Sequence, residues 1–159
     1  MPTLIVLRHA KAAAGPGLAD IERPLTERGR RDAAAAGEWL RADGRTVPGL
    51  VLCSTAVRTR ETLGLLALDA EVSHEPRIYG NDADDLLALI RETAAREPEP
   101  RTLLLIGHNP SVHQLVHDLT GNAPDSFPTC ALAVVELPGD WAGVRRGTGE
   151  LVTFRTPKD

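Results

Sequence analysis

Three loops of the sequence place a positively charged or imidazole side chain just after an apolar run. Arg8 and His9 follow the first run. Arg58 lies five residues beyond the second run, and His108 lies one glycine beyond a later one. A neutral imidazole has a free lone pair near neutral pH, because its ordinary pKa is about 6.5, so His9 could attack phosphorus directly. Each loop alone would be interpreted as a solvated surface loop, but the three together indicate one site.

Arg58 is placed where a cation is unfavourable unless an anion binds beside it. It falls in the first turn of a predicted helix, at the positive end of the helix dipole. His108 precedes a second helix, whose free N–H groups from about Ser111 onward point outward as in many anion sites. A phosphate monoester carries about two negative charges, which the forks of Arg8 and Arg58 balance without a divalent ion. We therefore expect a phosphate site with no metal and no cofactor, in which water hydrolyses the phosphorus–nitrogen bond formed on His9.

Apolar runs and helical patterns alternate along the chain and must position these loops. Strands are predicted at 3–7, 49–53, 71–74, 102–106, 130–137 and 151–154, and helices at 26–41, 54–68, 83–96 and 110–121. Thr26 is predicted to be the N-cap of the first helix, and Ser54 or Thr55 is predicted to be the N-cap of the second. Pro110 is predicted to occupy the first helical position of the last helix. The alternation predicts a three-layer α/β/α sandwich with a mixed, mostly parallel sheet. Because ligands of such sheets bind beyond the carboxyl ends of the strands, the three loops are expected to meet there.

Composition narrows the class of protein. The 159 residues are 42% hydrophobic and 25% charged, so residues 1–159 are predicted to form a single domain. The net charge of -4 argues against a nucleic-acid partner. No apolar run approaches the roughly 18 residues of a membrane span, and none has the form of a secretory signal, so we expect no membrane association and a cytoplasmic location. Cys53 and Cys130 are far apart in sequence and are predicted to be buried, inert thiols.

Four segments of the chain resemble one known family. Leu7-Arg8-His9-Ala10 resembles the Arg-His-Gly signature of the histidine phosphatase superfamily, which includes phosphoglycerate mutases and acid phosphatases. Three more segments match the family in order, namely 23–29, the Ser54-x-x-x-Arg58 stretch ending in Glu61-Thr62, and 107–110. The short length and the Arg-Pro-Leu-Thr segment look most like SixA-type phosphohistidine phosphatases.

This resemblance implies a fold, an activity and a set of site residues. The fold is expected to be phosphoglycerate mutase-like, and the activity to be that of a metal-independent phosphatase whose His9 becomes phosphorylated. The phosphate pocket would be formed by Arg8, Arg58 and His108, with Arg23 at its rim and Asn109 among the substrate-binding residues. Ala10 departs from the family pattern, where glycine stands, and its methyl group could crowd a close approach of the backbone.

A general acid is not identified by the sequence. Larger relatives use a glutamate after the third strand, where this chain offers four acidic residues that the spacing does not distinguish: Glu75, Asp82, Asp84 and Asp85. Phosphohistidine leaves as an imidazole and needs less help than an alkoxide, so the expected substrate is phosphohistidine on a protein. A broad phosphomonoesterase, a mutase on a phosphorylated metabolite and a non-catalytic phosphate-binding module remain alternatives.

Two other kinds of site are disfavoured by residue spacing. Cys53 and Arg58 are separated by four residues, whereas the cysteine phosphatase signature needs five. His113 and His117 have the spacing of a helical metal site, but Gln114 stands where the glutamate of H-E-x-x-H would be. We interpret these two histidines as surface residues that flank a buried helix face. The acids of the 82–85 segment are interpreted as residues that favour a helix start.

Overall fold

The computed structural model describes residues 2–42, 44, 46–97 and 100–158. Six strands form one sheet of order β3-β2-β4-β1-β5-β6. They are β1 Thr3–Arg8, β2 Leu50–Cys53, β3 Glu71–His74, β4 Thr102–Gly107, β5 Leu132–Glu136 and β6 Glu150–Arg155. Neighbours from β3 to β1 are parallel, whereas β5 is antiparallel to β1 and β6 to β5. The predicted mixed, mostly parallel sheet is confirmed.

Helices cover both faces of this sheet. They are α1 Glu27–Ala42, α2 Val57–Leu66, α3 Pro76–Tyr79, α4 Ala83–Arg96 and α5 Ser111–Thr120. Side chains of a strand alternate between faces, so Leu4 and Val6 pack with α4 and α5, whereas Ile5 and Leu7 pack with α1 and α2. The two apolar clusters on opposite faces of the sheet confirm the three-layer architecture. Among the described residues, no helix combines the length and hydropathy that crossing a membrane requires.

The starts of α2 and α5 differ from the prediction. Thr26 caps α1 as predicted, because its Oγ1 accepts a hydrogen bond from the Gly29 N–H at 3.0 Å. The predicted cap of α2 was wrong: Ala56 is the N-cap and provides no side-chain hydrogen bond. The hydroxyl of Ser54 is instead 2.8 Å from the imidazole of His108. Pro110 is the N-cap of α5, one position before the one predicted.

A close approach of α1 places its N-terminus against the loop that follows β1. A Cβ atom at Gly29 would lie 2.2 Å from the carbonyl oxygen of Lys11, so only glycine permits this packing. The N–H of Thr26 also donates to that oxygen at 2.9 Å. The loop 9–11 is thereby fixed between β1 and the start of α1.

Candidate active site

His9 is held by its backbone at the carboxyl end of β1. Its N–H donates to the carbonyl of Gly107 at 3.1 Å, and its carbonyl accepts from the N–H of Cys130 at 2.9 Å. The side chain is only 7% exposed. Nδ1 lies 2.7 Å from the carbonyl oxygen of Ala10. Because a carbonyl oxygen only accepts, Nδ1 carries the proton of the neutral ring and Nε2 keeps the lone pair.

His108 lies beside His9 at the end of the neighbouring strand β4. The centroids of the two rings are 5.4 Å apart, with the planes tilted by 53°. Nε2 of His108 is 2.8 Å from the hydroxyl of Ser54, which follows β2. That hydroxyl oxygen also accepts from the N–H of Ala56 at 3.3 Å, and Nε2 is the one acceptor available to its hydrogen among the described residues, so the hydroxyl donates to Nε2. His108 then carries its proton on Nδ1, a buried atom without a hydrogen-bond partner among the described residues.

Arg58 is held by a carboxylate that the sequence did not single out. Its guanidinium donates to the carbonyl oxygen of Asp20 at 2.8 Å and to Oδ2 of the same residue at 3.1 Å. Asp20 also accepts from Nε of Arg23 at 3.1 Å and from the hydroxyl of Tyr79 at 2.7 Å. The edge of the Tyr79 ring faces the ring of His108, with centroids 5.6 Å apart. Side chains from three separate parts of the sequence therefore meet at the carboxylate of Asp20: Arg23 from the same turn, Arg58 from α2 and Tyr79 from α3.

Hydrogen-bonding capacity remains unused where the loops meet. Arg8 donates to the carbonyl of Phe127 at 3.1 Å, and the side-chain amide of Asn109 donates to the same oxygen at 2.9 Å. Four buried polar atoms at the site have no partner among the described residues: Nε of Arg8, Nε of Arg58, Nδ1 of His108 and Oδ1 of Asn109. Because buried polar atoms are almost always hydrogen-bonded, such a group indicates a place for a polar ligand. Because the site contains the guanidinium groups of Arg8 and Arg58, an anionic ligand fits it best.

The electrostatics of the site keep both imidazoles neutral. The pKa of His9 is lowered to about 4, chiefly by burial and to a smaller extent by the neighbouring charges of Arg8 and Arg58, while the hydrogen bond to Ala10 opposes the shift. Burial also lowers the pKa of His108 to about 3, followed in size by the effects of His9 and Arg58. Near neutral pH the lone pair of His9 is therefore available.

The carboxyl group of Asp20 is shifted so that it stays ionised. The hydrogen bond from Tyr79 is the largest cause, followed by those from Arg58 and Arg23, and its pKa falls to about 2. The pKa of Arg8 is also lowered, by burial and by the charge of Arg58. The site thus combines guanidinium groups and one carboxylate with two uncharged imidazoles.

A hydrogen-bond chain fixes the nucleophile loop to α2. The N–H of Ala10 donates to Oγ1 of Thr62 at 3.0 Å, and this hydroxyl donates to the carbonyl of Arg58 at 2.7 Å. Glu61 accepts from the N–H of Leu25 at 2.8 Å and so holds the Arg-Pro-Leu-Thr segment. The methyl group of Ala10 is fully buried and packs in the apolar cluster of α1 and α2.

Comparisons with known proteins agree on one family. The model of the histidine phosphatase superfamily (branch 1) matches residues 4–99 of the chain. An uncharacterized protein of Mycobacterium tuberculosis is 37% identical over 162 residues, covering 96% of this chain and 100% of the relative. The chain belongs to the histidine phosphatase superfamily. Another uncharacterized member, from Mycobacterium leprae, is 36% identical over 167 residues, with 96% and 100% of the two chains covered.

Solved structures of the superfamily share the fold of this member over nearly its whole length. A protein from Nakamurella multipartitia assigned as the phosphohistidine phosphatase SixA superposes with a TM-score of 0.85 at 32% identity, covering 98% of this chain and 96% of the other. The protein histidine phosphatase SixA complexed with tungstate gives a TM-score of 0.82 at 26% identity, covering 98% and 97%. The fold implied by the family resemblance is confirmed.

Cys53, His113 and His117, the candidates for a cysteine phosphatase and for a metal site, lie in surroundings that do not suit those chemistries. Burial raises the pKa of Cys53 to about 12, so its thiol is protonated and is no phosphatase nucleophile. His113 is half-buried rather than on the surface, its Nε2 2.6 Å from the carbonyl of Pro124, whereas His117 is exposed. Within the described part of the chain, no group of three or more His, Cys, Asp or Glu side chains is placed to hold a metal ion.

The acids considered as proton donors have partners other than Arg8 and Arg58. Asp82 is the N-cap of α4, and its side chain accepts from the N–H groups of Asp84 and Asp85. Glu75 accepts from the hydroxyl of Ser73 at 2.8 Å. The carboxylate that contacts Arg58 among the described residues is that of Asp20, which sequence reasoning missed. Its position three residues before Arg23 was the available signal, since such a pair can form an ion pair in one turn of helix.

Proposed function

We propose that this member of the superfamily is a phosphatase that transfers a phosphoryl group to Nε2 of His9 and acts on phosphohistidine in a protein. The observation that carries this proposal is the neutral, buried His9, with its lone pair on Nε2, among arginines that have unused hydrogen-bonding capacity. Two of the solved structures with the same fold and over 25% identity bear the name SixA.

The reaction has two displacements at phosphorus. Nε2 of His9 attacks, the bond from phosphorus to the substrate nitrogen breaks, and its electron pair remains on that nitrogen. Water then attacks the phosphoryl group on His9, the new phosphorus–nitrogen bond breaks, and inorganic phosphate leaves. Each step needs in-line placement and neutralisation of the phosphoryl oxygens.

The other predicted residues receive roles in this scheme. Arg8 and Arg58 neutralise the oxygens, and His108 donates from Nδ1 while Ser54 holds its ring. Arg23 adds positive charge at the rim, and Asn109 completes the pocket. Because two guanidinium groups balance a phosphoryl dianion, the proposed reaction needs no metal ion. The single domain of residues 1–159 and the cytoplasmic location remain predictions of the sequence.

Trapping of the phosphoenzyme tests this proposal. Wild-type protein and the variants His9→Ala and His117→Ala are incubated with a phosphohistidine peptide in the presence of a chelator, and protein-bound phosphate is measured. We expect wild type and His117→Ala to acquire acid-labile phosphate and release it, and His9→Ala to show neither, with turnover reduced at least about 1000-fold.

Three results would contradict parts of the proposal. Reversible binding without turnover would make the protein a phosphate-binding module. A clear preference for a sugar phosphate would reject the phosphohistidine substrate. Loss of wild-type turnover in chelator would reject the metal-free mechanism.

A further inference from the structure

The carboxylate of Asp20 lies on the solvent side of the arginine that it holds. Its side chain is 55% exposed, whereas that of Arg58 is 7% exposed. Asp20 begins a turn of 3-10 helix, Asp20–Glu22, and Arg23 is the residue that caps the end of this turn. Tyr79, which donates to the same carboxylate, comes from α3 after the third strand. Asp20 is therefore a negative charge at the rim of the site, fixed from two directions.

The direction of phosphoryl transfer brings the leaving group toward this rim. The attacking and leaving atoms lie roughly in line on opposite sides of phosphorus. His9 is buried at the bottom of the site, with 7% of its surface exposed. A leaving group opposite His9 must consequently face the opening, where Asp20 is the carboxylate beside the arginines.

We propose that Asp20 determines the class of substrate by favouring phosphoryl groups carried on a nitrogen that is part of a cationic or N–H-bearing group. This inference rests on the proposed phosphatase function and names the residue that selects the substrate within it. The carboxylate accepts a hydrogen bond from the ring N–H of a phosphohistidine. The same carboxylate repels a leaving oxygen that acquires negative charge.

The proton inventory of the two substrate classes explains this selection. When the leaving imidazole carries a proton on its other ring nitrogen, the phosphorus–nitrogen bond breaks and the electron pair stays on the leaving nitrogen, so the ring departs neutral. No proton has to be supplied. When a phosphate ester reacts, the pair stays on oxygen; a general acid would normally protonate a departing alkoxide, whereas p-nitrophenolate leaves as the anion.

Asp20 is unsuited to be that general acid. The hydrogen bond from Tyr79 and those from the two arginines hold its pKa at about 2, so it has no proton to give near neutral pH. Its fixed negative charge acts instead on the charge that develops at the leaving atom. A charge that stabilises one leaving group and destabilises another changes the ratio of two rates, which is the signature of a specificity residue.

The test compares two substrates in three variants. The value of kcat/KM is measured for a phosphohistidine peptide and for p-nitrophenyl phosphate, whose leaving group is an anion that needs no proton. The variants are Asp20→Asn, which removes the charge, Asp20→Glu, which keeps it, and Glu22→Gln, which removes an exposed charge from the same turn. Thermal unfolding and tungstate binding of each variant check that the fold and the anion pocket persist.

We expect Asp20→Asn to lower kcat/KM for the phosphohistidine peptide about tenfold and to leave unchanged or raise that for p-nitrophenyl phosphate. Asp20→Glu should keep the wild-type ratio in large part, and Glu22→Gln should keep it fully. An equal fall on both substrates would overturn the inference, because Asp20 would then act only by holding Arg58. No change on either substrate would overturn it as well. Wild-type protein that labels His9 with neither substrate would instead refute the proposed function.

Discussion

The arginines of this protein fall into two populations that the sequence cannot distinguish. Arg77 and Arg146 are exposed, and each pairs with a carboxylate on the surface, Glu92 and Asp84 respectively. Arg8 and Arg58 are buried wholly or in part, and the Nε atom of each has no partner among the described residues. Positive charge alone therefore does not identify a site in this chain. The site is marked instead by four buried polar atoms with unused hydrogen-bonding capacity where the loops meet, because water cannot satisfy them there; a single such atom, as in Arg155, does not mark it.

Removal of a buried arginine should produce the largest effect on activity. Arg58→Ala is expected to lower kcat/KM about 100- to 1000-fold, because it removes charge from the oxygens of the transferred group. Arg77→Ala should leave kcat/KM unchanged, since its partner Glu92 lies on the surface. Steady-state rates on the phosphohistidine peptide measure both effects, with tungstate binding as an independent measure of the anion pocket.

Similar losses in the two variants would break the comparison. They would mean that the exposed arginine also reaches the substrate, or that both changes act through general destabilisation. Thermal unfolding of both variants separates these two causes.

The histidines, like the arginines, divide into buried and exposed groups. The buried ones predict how the stability of the fold depends on pH. His9 and His108 have pKa values of about 4 and about 3 in the folded chain, below the ordinary 6.5. As pH falls below about 6.5, the unfolded chain takes up protons on these residues before the folded chain does. Stability should therefore be complete above this pH and be lost progressively down to about pH 3, by about 1.4 kcal/mol for each unit of pKa difference.

Denaturant unfolding at pH 7 and pH 4.5 measures this loss. His108→Gln should show a smaller decrease in the free energy of unfolding than the wild type, and His117→Gln, an exposed imidazole, should match the wild type. Asp20 does not interfere, because the stability that its lowered pKa of about 2 provides is present at both pH values and is lost only below about pH 3.8. Equal decreases in wild type and His108→Gln would show that this imidazole is not held neutral by burial.

The part of the site that the sequence predicts is the part carried by regular structure. Arg8 ends β1, His9 follows it, and His108 follows β4, the parallel neighbour of β1, so strand order alone brings the three together. Asp20 and Tyr79 could not be predicted, because each lies in a short turn or helix without periodicity and they meet across 59 positions of sequence. Local pattern carries no information about such a contact.

Errors at the helix ends have the same origin. Ser54 has the residue type of a helix cap and stands where a cap was predicted. Its hydroxyl lies against His108 from a distant part of the chain, so the tertiary contact prevailed over the local preference. The predicted cap that formed is Thr26, whose hydroxyl accepts from the N–H of Gly29 and donates to the carbonyl of Lys11 in the neighbouring loop. Here the local preference and the tertiary contact agree.

The smallest effect is expected for an exposed arginine with two partners. Arg146 pairs with Asp84 and lies 3.5 Å from Asp118, and its side chain is 60% exposed. Solvent screens such pairs, and ordering two long side chains opposes them, so Arg146→Gln should shift the midpoint of thermal unfolding by less than about 2 °C. Its kcat/KM should equal that of the wild type. A larger shift that disappears in high salt would show that the surface ion pairs of Arg146 stabilise the fold more than the exposure of its side chain implies. The buried and the exposed arginines would then differ in function but not in their contribution to stability.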